Sequence, residues 1–268
     1  MSDSIVGLRF LICDLETRLR SLPALGNRIL SGNWEEPRHA RNDFMKRTLK
    51  EVLFVLVGIG CLRGAAAFAA GPVVPDLQKV SQGTGARMLA KTKVRWDANA
   101  KGKPALFTTG AVWLDGVDFT DGAIECDILG KSAPRGSSFL GLAFHGVDDT
   151  TFDCVYFRAF NFRAENPENA SHAVQYISHP QWTWQKLRAE KTGQYEKPIT
   201  PAPDGDAWFH AKIVVRGRKV SVFVGDSAQP SLEVELLNDR TSGRIGIWGG
   251  DAGDGGHFAN LRITPASK

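Results

Sequence analysis

The chain of 268 residues lacks several features that mark common protein classes. Its longest apolar run is far shorter than the ~20 residues that a membrane-spanning helix needs. It has four cysteines, no sustained helical period and no internal repeat. These absences disfavour a transmembrane protein and a helical bundle, and they leave few thiols for disulfide bonds or metal sites.

A surplus of charge of one sign is also missing. The whole sequence has 33 Lys and Arg against 29 Asp and Glu, whereas residues 70–268 have 23 against 22. Nucleic-acid binding depends on a concentrated basic face. Nothing after residue 69 supplies one, so we expect no nucleic-acid partner and no membrane partner for the mature form.

An internal segment has the pattern of a secretory signal peptide. Met45 is followed by three basic residues, by the apolar run VLFVLVGIGCL at 52–62, and by an A-x-A sequence at 67–69. A basic head, a run of about ten apolar residues and small residues at the cleavage site are typical of such signals. We therefore expect a signal peptide at 45–69, cleavage near Ala69, and a mature domain at 70–268 that is secreted or periplasmic.

Residues 1–44 do not belong to that signal pattern. They carry scattered charges, two prolines and no sustained period. We interpret them as an over-long gene start, disordered if translated, with translation beginning at Met45. The alternative is a genuine cytoplasmic extension ahead of a short membrane anchor.

The mature segment is predicted to consist of β-strands almost throughout. In GAIECDIL, apolar Ile124, Cys126 and Ile128 alternate with polar residues, which is the period of a half-buried strand. Similar segments, separated by Gly and Asp turns, lie at 138–145, 152–160, 208–216, 219–224, 243–248 and 257–264. Gly217-Arg218 fits a two-residue hairpin loop. We predict an all-β, two-sheet antiparallel sandwich with one long insertion at 161–207; only 180–191 and 76–79 favour helix.

The two mature cysteines are expected to stay unbridged. Cys126 and Cys154 lie on segments that we interpret as the first and third strands of one meander. An intervening strand would hold them about 9–10 Å apart, too far for a disulfide bond. We therefore expect two buried thiols.

The strand order, the WFHAKIVVRGRKVSVFV hairpin and the closing GRIGIWGGDAGDGGHFANLRI resemble the concanavalin A-like lectin/glucanase jelly roll. Within that superfamily, the chain resembles bacterial 3-keto-disaccharide hydrolase-like domains, which are related to family 16 glycoside hydrolases and laminin-G-like domains. The resemblance covers about residues 75–265 and implies a sandwich whose concave face carries any sugar site. Because this superfamily mixes lectins, hydrolases and adhesion modules, fold alone does not give the function.

The family 16 resemblance also points to a catalytic strand. Those enzymes carry Glu-x-Asp-x-x-Glu, and Glu125 and Asp127 match its first two acids, whereas Gly130 replaces the third. Retaining hydrolysis needs two carboxylates about 5–5.5 Å apart. A solvated strand face is the alternative. No G-x-S-x-G elbow is present.

The segment 156–180 concentrates polar side chains that suit a hydroxyl-rich ligand. Arginine, amide and imidazole groups combine planar donors with mixed donor–acceptors, and aromatic rings add apolar faces. The predicted ligand-binding residues are Arg158, Asn161, Arg163, His172, Gln175, Tyr176, and Trp182 or Trp248 for stacking. We expect these polar groups to be exposed. The alternative is a structural loop whose arginines pair with Glu165 and Glu168.

A calcium loop is a further hypothesis, and no other cofactor is expected. Asp251 and Asp254 lie in a Gly-rich segment whose carbonyl groups could complete a calcium shell. An ordinary Gly-Asp loop is the alternative. The basic pair Arg216 and Arg218 is interpreted as a solvated hairpin turn.

Three functions remain open at this point. The first is a secreted domain that binds a carbohydrate or another polyhydroxylated ligand. The second is a glycoside hydrolase or other sugar-cleaving enzyme that uses Glu125, Asp127 or His172 as acid or base. The third is a structural or adhesion module. Converging carboxylates in a deep cleft would favour the enzyme, and a shallow groove with arginines and aromatic rings would favour binding. A flat surface on which the polar groups of 156–180 are paired internally would favour the structural module.

Overall fold

The fold is an all-β sandwich, as the sequence predicted. The computed structural model describes residues 71–135, 138–250 and 253–267. Within these ranges, fourteen strands form two antiparallel sheets of seven strands each. The described helices are all too short or too polar to cross a membrane. The expectations for residues 1–44 and for a signal peptide at 45–69 lie outside the described residues.

The chain passes from one sheet to the other several times. The first sheet contains, in spatial order, β1 (Ala86–Met88), β4 (Ala111–Phe119), β13 (Gly243–Trp248), β6 (Phe139–Gly146), β7 (Phe152–Arg158), β8 (Val174–His179) and β9 (Glu196–Lys197). The second contains β12 (Leu232–Glu235), β11 (Lys219–Val224), β10 (Trp208–Arg216), β5 (Gly122–Leu129), β14 (Gly256–Pro265), β3 (Lys103–Thr108) and β2 (Val94–Ala100).

Three short α-helices and one 3₁₀ turn at Ala159–Asn161 complete the described secondary structure. In chain order, the α-helices are α1 (Leu77–Ser81), α2 (Pro167–Ser171) and α3 (Trp184–Glu190). The Asp76 side chain caps α1 by accepting from two backbone N–H groups, and Thr183 caps α3. Both predicted helical segments therefore contain a helix, and each begins at a capping residue.

The main core lies between the sheets and follows the alternation seen in the sequence. On β10, Ala211, Ile213 and Val215 are buried, and their neighbours in between are partly exposed. On β5, Ile124 and Cys126 enter the same core. Because side chains alternate in this way, every second side chain along a strand of the second sheet points to its outer face.

The predicted hairpin is confirmed. β10 and β11 pair from Ala211 opposite Val224 to Arg216 opposite Lys219, so the loop is the two residues 217 and 218. Gly217 has φ of +56°, a backbone conformation that glycine adopts at little steric cost.

The expectation that no bridge joins the cysteines is confirmed, but the reason given for it is wrong. Cys126 lies on β5 and Cys154 on β7, which belong to different sheets. Both are buried without a disulfide bond. Burial raises the pKa of the Cys126 thiol, which keeps it protonated.

The long segment 161–207 is more regular than a loop insertion. It supplies β8, which pairs along β7, and the two-residue β9, which extends the sheet edge. Between them, α3 places Leu187 on a second hydrophobic cluster that also contains Trp113 and Tyr156. The first sheet is therefore apolar on both faces, and this second cluster supports the candidate site.

Candidate functional site

Strands β7 and β8 divide the predicted ligand residues between two faces of the first sheet. Arg158 is two residues after Tyr156 on β7, so the two side chains lie on the same face. Gln175 is opposite Tyr156 in the pairing with β8. Tyr176 points the other way and belongs to the core between the sheets. A single wall containing both Gln175 and Tyr176 therefore does not form.

Arg158 is buried rather than exposed, contrary to the expectation. Only 4% of the residue is accessible. Its Nη2 donates to the Tyr156 hydroxyl and to Gln175 Oε1, both at 2.6 Å, and its Nη1 donates to the His172 carbonyl at 2.7 Å. Burial lowers the pKa of Arg158, and the nearby Arg188 acts in the same direction.

Glu196 on β9 supplies the charge that balances this arginine. Arg188 donates to its two carboxylate oxygens from Nε and Nη2 at 3.0–3.2 Å. His172 Nδ1 lies 2.8 Å and Arg158 Nη1 lies 3.7 Å from Oε2. Glu196 is 4% accessible, so its charge is compensated by neighbours rather than by water.

The predicted partners Glu165 and Glu168 play a smaller part in this arrangement. Glu168 reaches His172 Nε2 at 3.1 Å from an exposed position. Glu196 was missed because β9 is two residues long and shows no alternation. Arg188 was missed because it lies on α3, outside the segment 156–180 that prompted the ligand prediction. Only the sheet register brings Glu196 beside Gln175.

A depression of about 330 Å³ opens beside this network, and we call it the aromatic–arginine pocket. Its lining combines three aromatic rings, two guanidinium groups, two amides and an imidazole, from Phe139, Arg158, Phe160, Asn161, Asn169, His172, Trp184 and Arg188. Trp184 is 39% exposed, and the Arg188 guanidinium lies 5.0 Å from its ring. A groove with arginines and aromatic rings is the arrangement expected to favour binding, whereas the internal pairing of Arg158 with Gln175 is the arrangement expected of a structural module.

Three of the predicted ligand residues line this pocket, namely Arg158, Asn161 and His172. Arg163 does not, because it turns towards Asp204 at 3.3 Å and the Ala202 carbonyl. The ligand-binding role of all these residues stays a prediction.

The tryptophan closest to this pocket is not one that the sequence singled out. Trp248 is 7% accessible and packs edge-on against Tyr156 at 5.2 Å. Trp182 lies against two lysines, with Lys186 Nζ 4.6 Å from its ring. Trp184, the first residue of α3, lines the pocket instead. Its partial exposure could not be read from the sequence, because Trp182 and Trp184 stand two residues apart among the same polar neighbours.

On the inner face, Tyr176 belongs to a buried polar cluster between the sheets. Its hydroxyl donates to Asp153 Oδ1 at 2.6 Å, and Asn238 Nδ2 donates to the same oxygen at 2.7 Å. Arg240 Nη2 lies 3.2 Å from it. Burial opposes ionisation of Asp153, but His145, Tyr176 and Arg240 outweigh burial and lower its pKa. This cluster ties the β12–β13 connection to β7 and β8.

The two carboxylates of the predicted catalytic strand lie on the outer face of the second sheet. Asp127 accepts from Lys103 Nζ at 2.6 Å, His210 Nδ1 at 2.8 Å and Asn260 Nδ2 at 2.8 Å. Burial raises the pKa of this carboxyl, but the three donors outweigh burial and lower it. A general acid needs a raised pKa, so Asp127 is poorly suited to donate a proton to a leaving group.

Glu125 is paired as well. Its Oε1 lies 3.5 Å from Lys212 Nζ and 3.8 Å from His210 Nε2. The face that carries both acids is thus a charge-compensated strand surface, and their catalytic role stays a prediction.

The calcium hypothesis rests on one described residue. Asp251 lies outside the described residues. Asp254 Oδ2 accepts from Lys131 Nζ and from the Arg135 backbone N–H, each at 3.0 Å. Within the described ranges, no three His, Cys, Asp or Glu side chains are grouped closely enough to hold a metal ion.

Comparison with known proteins finds similarity only at the level of solved structures. No family model matches the chain, and no curated protein does. The carbohydrate-binding module CBM66 from Bacillus subtilis is 16% identical, with a TM-score of 0.43, over 67% of this chain and 96% of that chain. A Bacillus subtilis protein of unknown function with a galectin-like fold is 13% identical, with a TM-score of 0.41, over 71% and 91%.

A third structure of this kind is domain 4 of a GH43 extracellular arabinanase from Geobacillus stearothermophilus, in complex with arabinotriose. It is 14% identical to this chain, with a TM-score of 0.40, over 65% of this chain and 75% of that chain. Similarity at this level says nothing about what the present chain binds, so its own side chains must carry the functional proposal.

Proposed function

We propose that this domain binds a saccharide or a related polyhydroxylated ligand in the aromatic–arginine pocket. The observation that carries the proposal is the lining of that pocket, where three aromatic rings and five polar side chains surround about 330 Å³ of open space. Small-molecule sites span about 300–1,000 Å³ and combine apolar walls with a few placed polar groups.

The chemistry of the lining matches the two kinds of surface on a sugar. A pyranose ring presents C–H groups on its faces and hydroxyl groups around its edge. Partly exposed Trp184 and the Phe139 and Phe160 rings offer apolar surfaces for the faces. Asn161 and Asn169 offer both donors and acceptors for hydroxyl groups.

The polar side of the pocket is held in place before any ligand arrives. Arg188 is fixed by its two-oxygen contact with Glu196, and His172 by its 2.8 Å contact with the same carboxylate. Side chains that are already ordered lose little conformational entropy on binding. This rigidity supports recognition of a defined ligand shape.

An exposed tryptophan allows a test that separates binding from folding. Isothermal titration of the chain with neutral oligosaccharides selected on a glycan array would measure affinity. Trp184→Ala is expected to weaken binding by about 1–2 kcal/mol, or roughly 5- to 30-fold. Trp182→Ala is the matched control, because that ring packs against lysines away from the lining.

The proposal fails if no glycan binds, or if both tryptophan variants bind the selected glycan like the parent protein. A loss of affinity in the Trp182 variant alone would also place the ligand elsewhere.

A sugar-cleaving enzyme is the second candidate, and the pairing of His172 with Glu196 favours it. A carboxylate that orients an imidazole is a recurrent feature of general-base catalysis, and this one sits at the pocket edge. Release of reducing sugar or of a modified sugar product, abolished by His172→Ala with ligand affinity retained, would establish the enzyme. If glycans bind but no product forms, binding without catalysis is the function that remains.

Membership in the 3-keto-disaccharide hydrolase-like group is part of this proposal, supported by the hairpin and the C-terminal segment. Export is a further part, supported by the pattern at 45–69. Mass spectrometry of the exported protein is expected to find an N-terminus near Ala70. A product that retains residues 52–62 would contradict export by a cleaved signal.

A further inference from the structure

A second depression lies on the outer face of the second sheet, on the opposite side of the sandwich from the aromatic–arginine pocket. Its volume is about 630 Å³, and side chains from β5, β10 and β11 line it together with the backbone turn at 225–228. Its floor is formed by side chains of β10 and β11, namely Lys212, Val214, Arg216, Lys219, Ser221 and Phe223. We call this depression the cationic pocket.

The register of the strands determines its floor. Lys212 is opposite Phe223, Val214 is opposite Ser221, and Arg216 is opposite Lys219. Because strand side chains alternate between faces, every second residue of both strands points outward. An aromatic ring and a valine therefore lie among three cationic side chains.

The three cations differ in how far they are compensated. Lys212 Nζ lies 3.5 Å from Glu125, and Lys219 Nζ lies 2.7 Å from Glu233. The Arg216 side chain is exposed and makes no hydrogen bond or ion pair with residues 71–135, 138–250 or 253–267. Like charges directly opposite each other on neighbouring strands are destabilising. Because Glu233 already compensates Lys219, the Arg216 guanidinium is the group that favours an added anion at this end of the pocket.

We propose that the cationic pocket binds an acidic saccharide, one that carries a carboxylate on a sugar ring. Arg216 and Lys219 bind the carboxylate, because a guanidinium offers two parallel donors that match its two oxygens. The ring packs on Phe223, and Ser221 and Glu125 take hydroxyl groups. The pocket is large enough for more than one sugar residue within the usual range of about 300–1,000 Å³ for small-molecule sites.

The acids in the lining argue for a sugar rather than for a highly charged polymer. Glu125 and Asp226 both border the pocket. They would repel closely spaced phosphates, but they accept hydrogen bonds from hydroxyl groups. The near balance of charge in residues 70–268, 23 basic against 22 acidic, also disfavours a nucleic acid.

The proposed site predicts that affinity for an acidic saccharide depends on the charge of Arg216. Titration of the chain with trimers of galacturonate, glucuronate and mannuronate is expected to show binding of at least one at low salt. Arg216→Ala is expected to weaken that binding roughly 10- to 100-fold, and Arg216→Lys by less. Lys93→Ala, which removes one charge from an exposed position outside the pocket lining, is expected to leave it unchanged.

Two further measurements identify which group of the ligand is recognised and which sheet of the sandwich binds it. The methyl ester of the same trimer, whose carboxylates are neutral, is expected to lose binding as Arg216→Ala does. Trp184→Ala is expected to leave uronate affinity unchanged, because Trp184 lines the pocket on the other sheet. This second measurement makes the result independent of the neutral-saccharide proposal.

The inference is overturned if none of the three uronate trimers binds, or if Arg216→Ala and Lys93→Ala weaken binding equally. It is also overturned if the methyl ester binds as well as the acid, or if a sulfated trimer or an oligonucleotide binds where no uronate does. Circular dichroism of each variant confirms that the sandwich is folded before titration.

Discussion

The two outer faces of the sandwich carry comparable polar side chains and hold them in different ways. On the first sheet, Arg158 and Glu196 are each 4% accessible and have several partners. On the second sheet, Arg216 is exposed at the end of β10, beside a lysine. The same residue type is thus a structural charge on one face and an available charge on the other.

The difference comes from what covers each face. The first sheet is covered by the segment that contains Trp182 and α3, and a second hydrophobic cluster forms beneath it. Charged groups under such a cover are desolvated, so they persist only with compensating partners. The second sheet has no comparable helix among the described residues on its outer side, and Arg216 remains in water there, whereas Asp127 is largely buried and has three donors of its own. This contrast leads to four expectations, ordered from the largest effect to the smallest.

The largest loss of stability is expected for Arg158→Ala. This change leaves the buried Glu196 carboxylate and the Tyr156 hydroxyl with fewer partners, and breaking a buried pair costs about 3–5 kcal/mol. Urea unfolding followed by circular dichroism measures the free energy of unfolding. Arg163→Ala is the control, because that arginine is exposed and forms a surface pair with Asp204; a change within about 0.5 kcal/mol is expected. Equal losses of stability in the two variants would mean that the burial of Arg158 does not increase its contribution to folding.

A smaller and pH-dependent effect is expected at Asp153. Its pKa is lowered in the folded state, so its contribution to stability is present above the unfolded value of about 3.9 and is lost as pH falls through the folded value. Asp153→Asn should cost about 1.5–3 kcal/mol at pH 7 and should flatten the fall in stability below pH ~4.

Unfolding curves for both proteins from pH 7 to pH 2 would test this linkage. Parallel curves for the parent protein and the Asp153→Asn variant would contradict it, because they would mean that Asp153 titrates alike in the folded and unfolded states.

On the second sheet, Asp127→Asn should have an intermediate effect. It removes the charge that Lys103 and His210 face but keeps an oxygen for Asn260, and a hydrogen bond to a charged group is worth about 1.5–3 kcal/mol. Partial exposure of Lys103 reduces the loss, so we expect about 1 kcal/mol. A loss as large as that of Arg158→Ala would show that this face is as desolvated as the first.

The smallest effect on stability is expected for Arg216→Ala, within about 0.5 kcal/mol, with a gain rather than a loss because a like-charged pair is removed. The measurement is the same urea unfolding, at low and high salt. The gain should shrink as salt screens the repulsion from Lys219. A clear destabilisation would mean that Arg216 supports the hairpin.

Four strands, at 122–129, 208–216, 219–224 and 243–248, were assigned with the bounds that the structure shows. In 208–216 and 219–224 a period of two is visible because one face meets the core and the other is partly exposed to water. Residues 245–248, by contrast, are buried on both faces. β7 is buried along its whole length, and its two faces could not be told apart from its composition.

The site was only partly predictable for the same reason. Arg158, Asn161 and His172 line a pocket. They could be singled out from the sequence because a cluster of polar residues next to an apolar strand is not expected of a simple core segment. The exposure expected for Arg158 and Gln175 was wrong, since the sequence does not show that α3 and β9 cover that face. Asn161 and Tyr176 were also expected to be exposed and are buried. Glu196, which balances the charges, lies 38 residues after Arg158 and gave no local signal.

The sequence by itself determined the all-β class, the hairpin between β10 and β11, and the cysteines' burial within strands, because alternation and turn chemistry are local. Only the tertiary structure decided which sheet each strand joins, so that Cys126 and Cys154 lie in different sheets. It also decided which arginine is buried and which is exposed. Burial depends on segments far apart in the chain, and a charged side chain has the same local pattern whether its partner is water or a distant carboxylate.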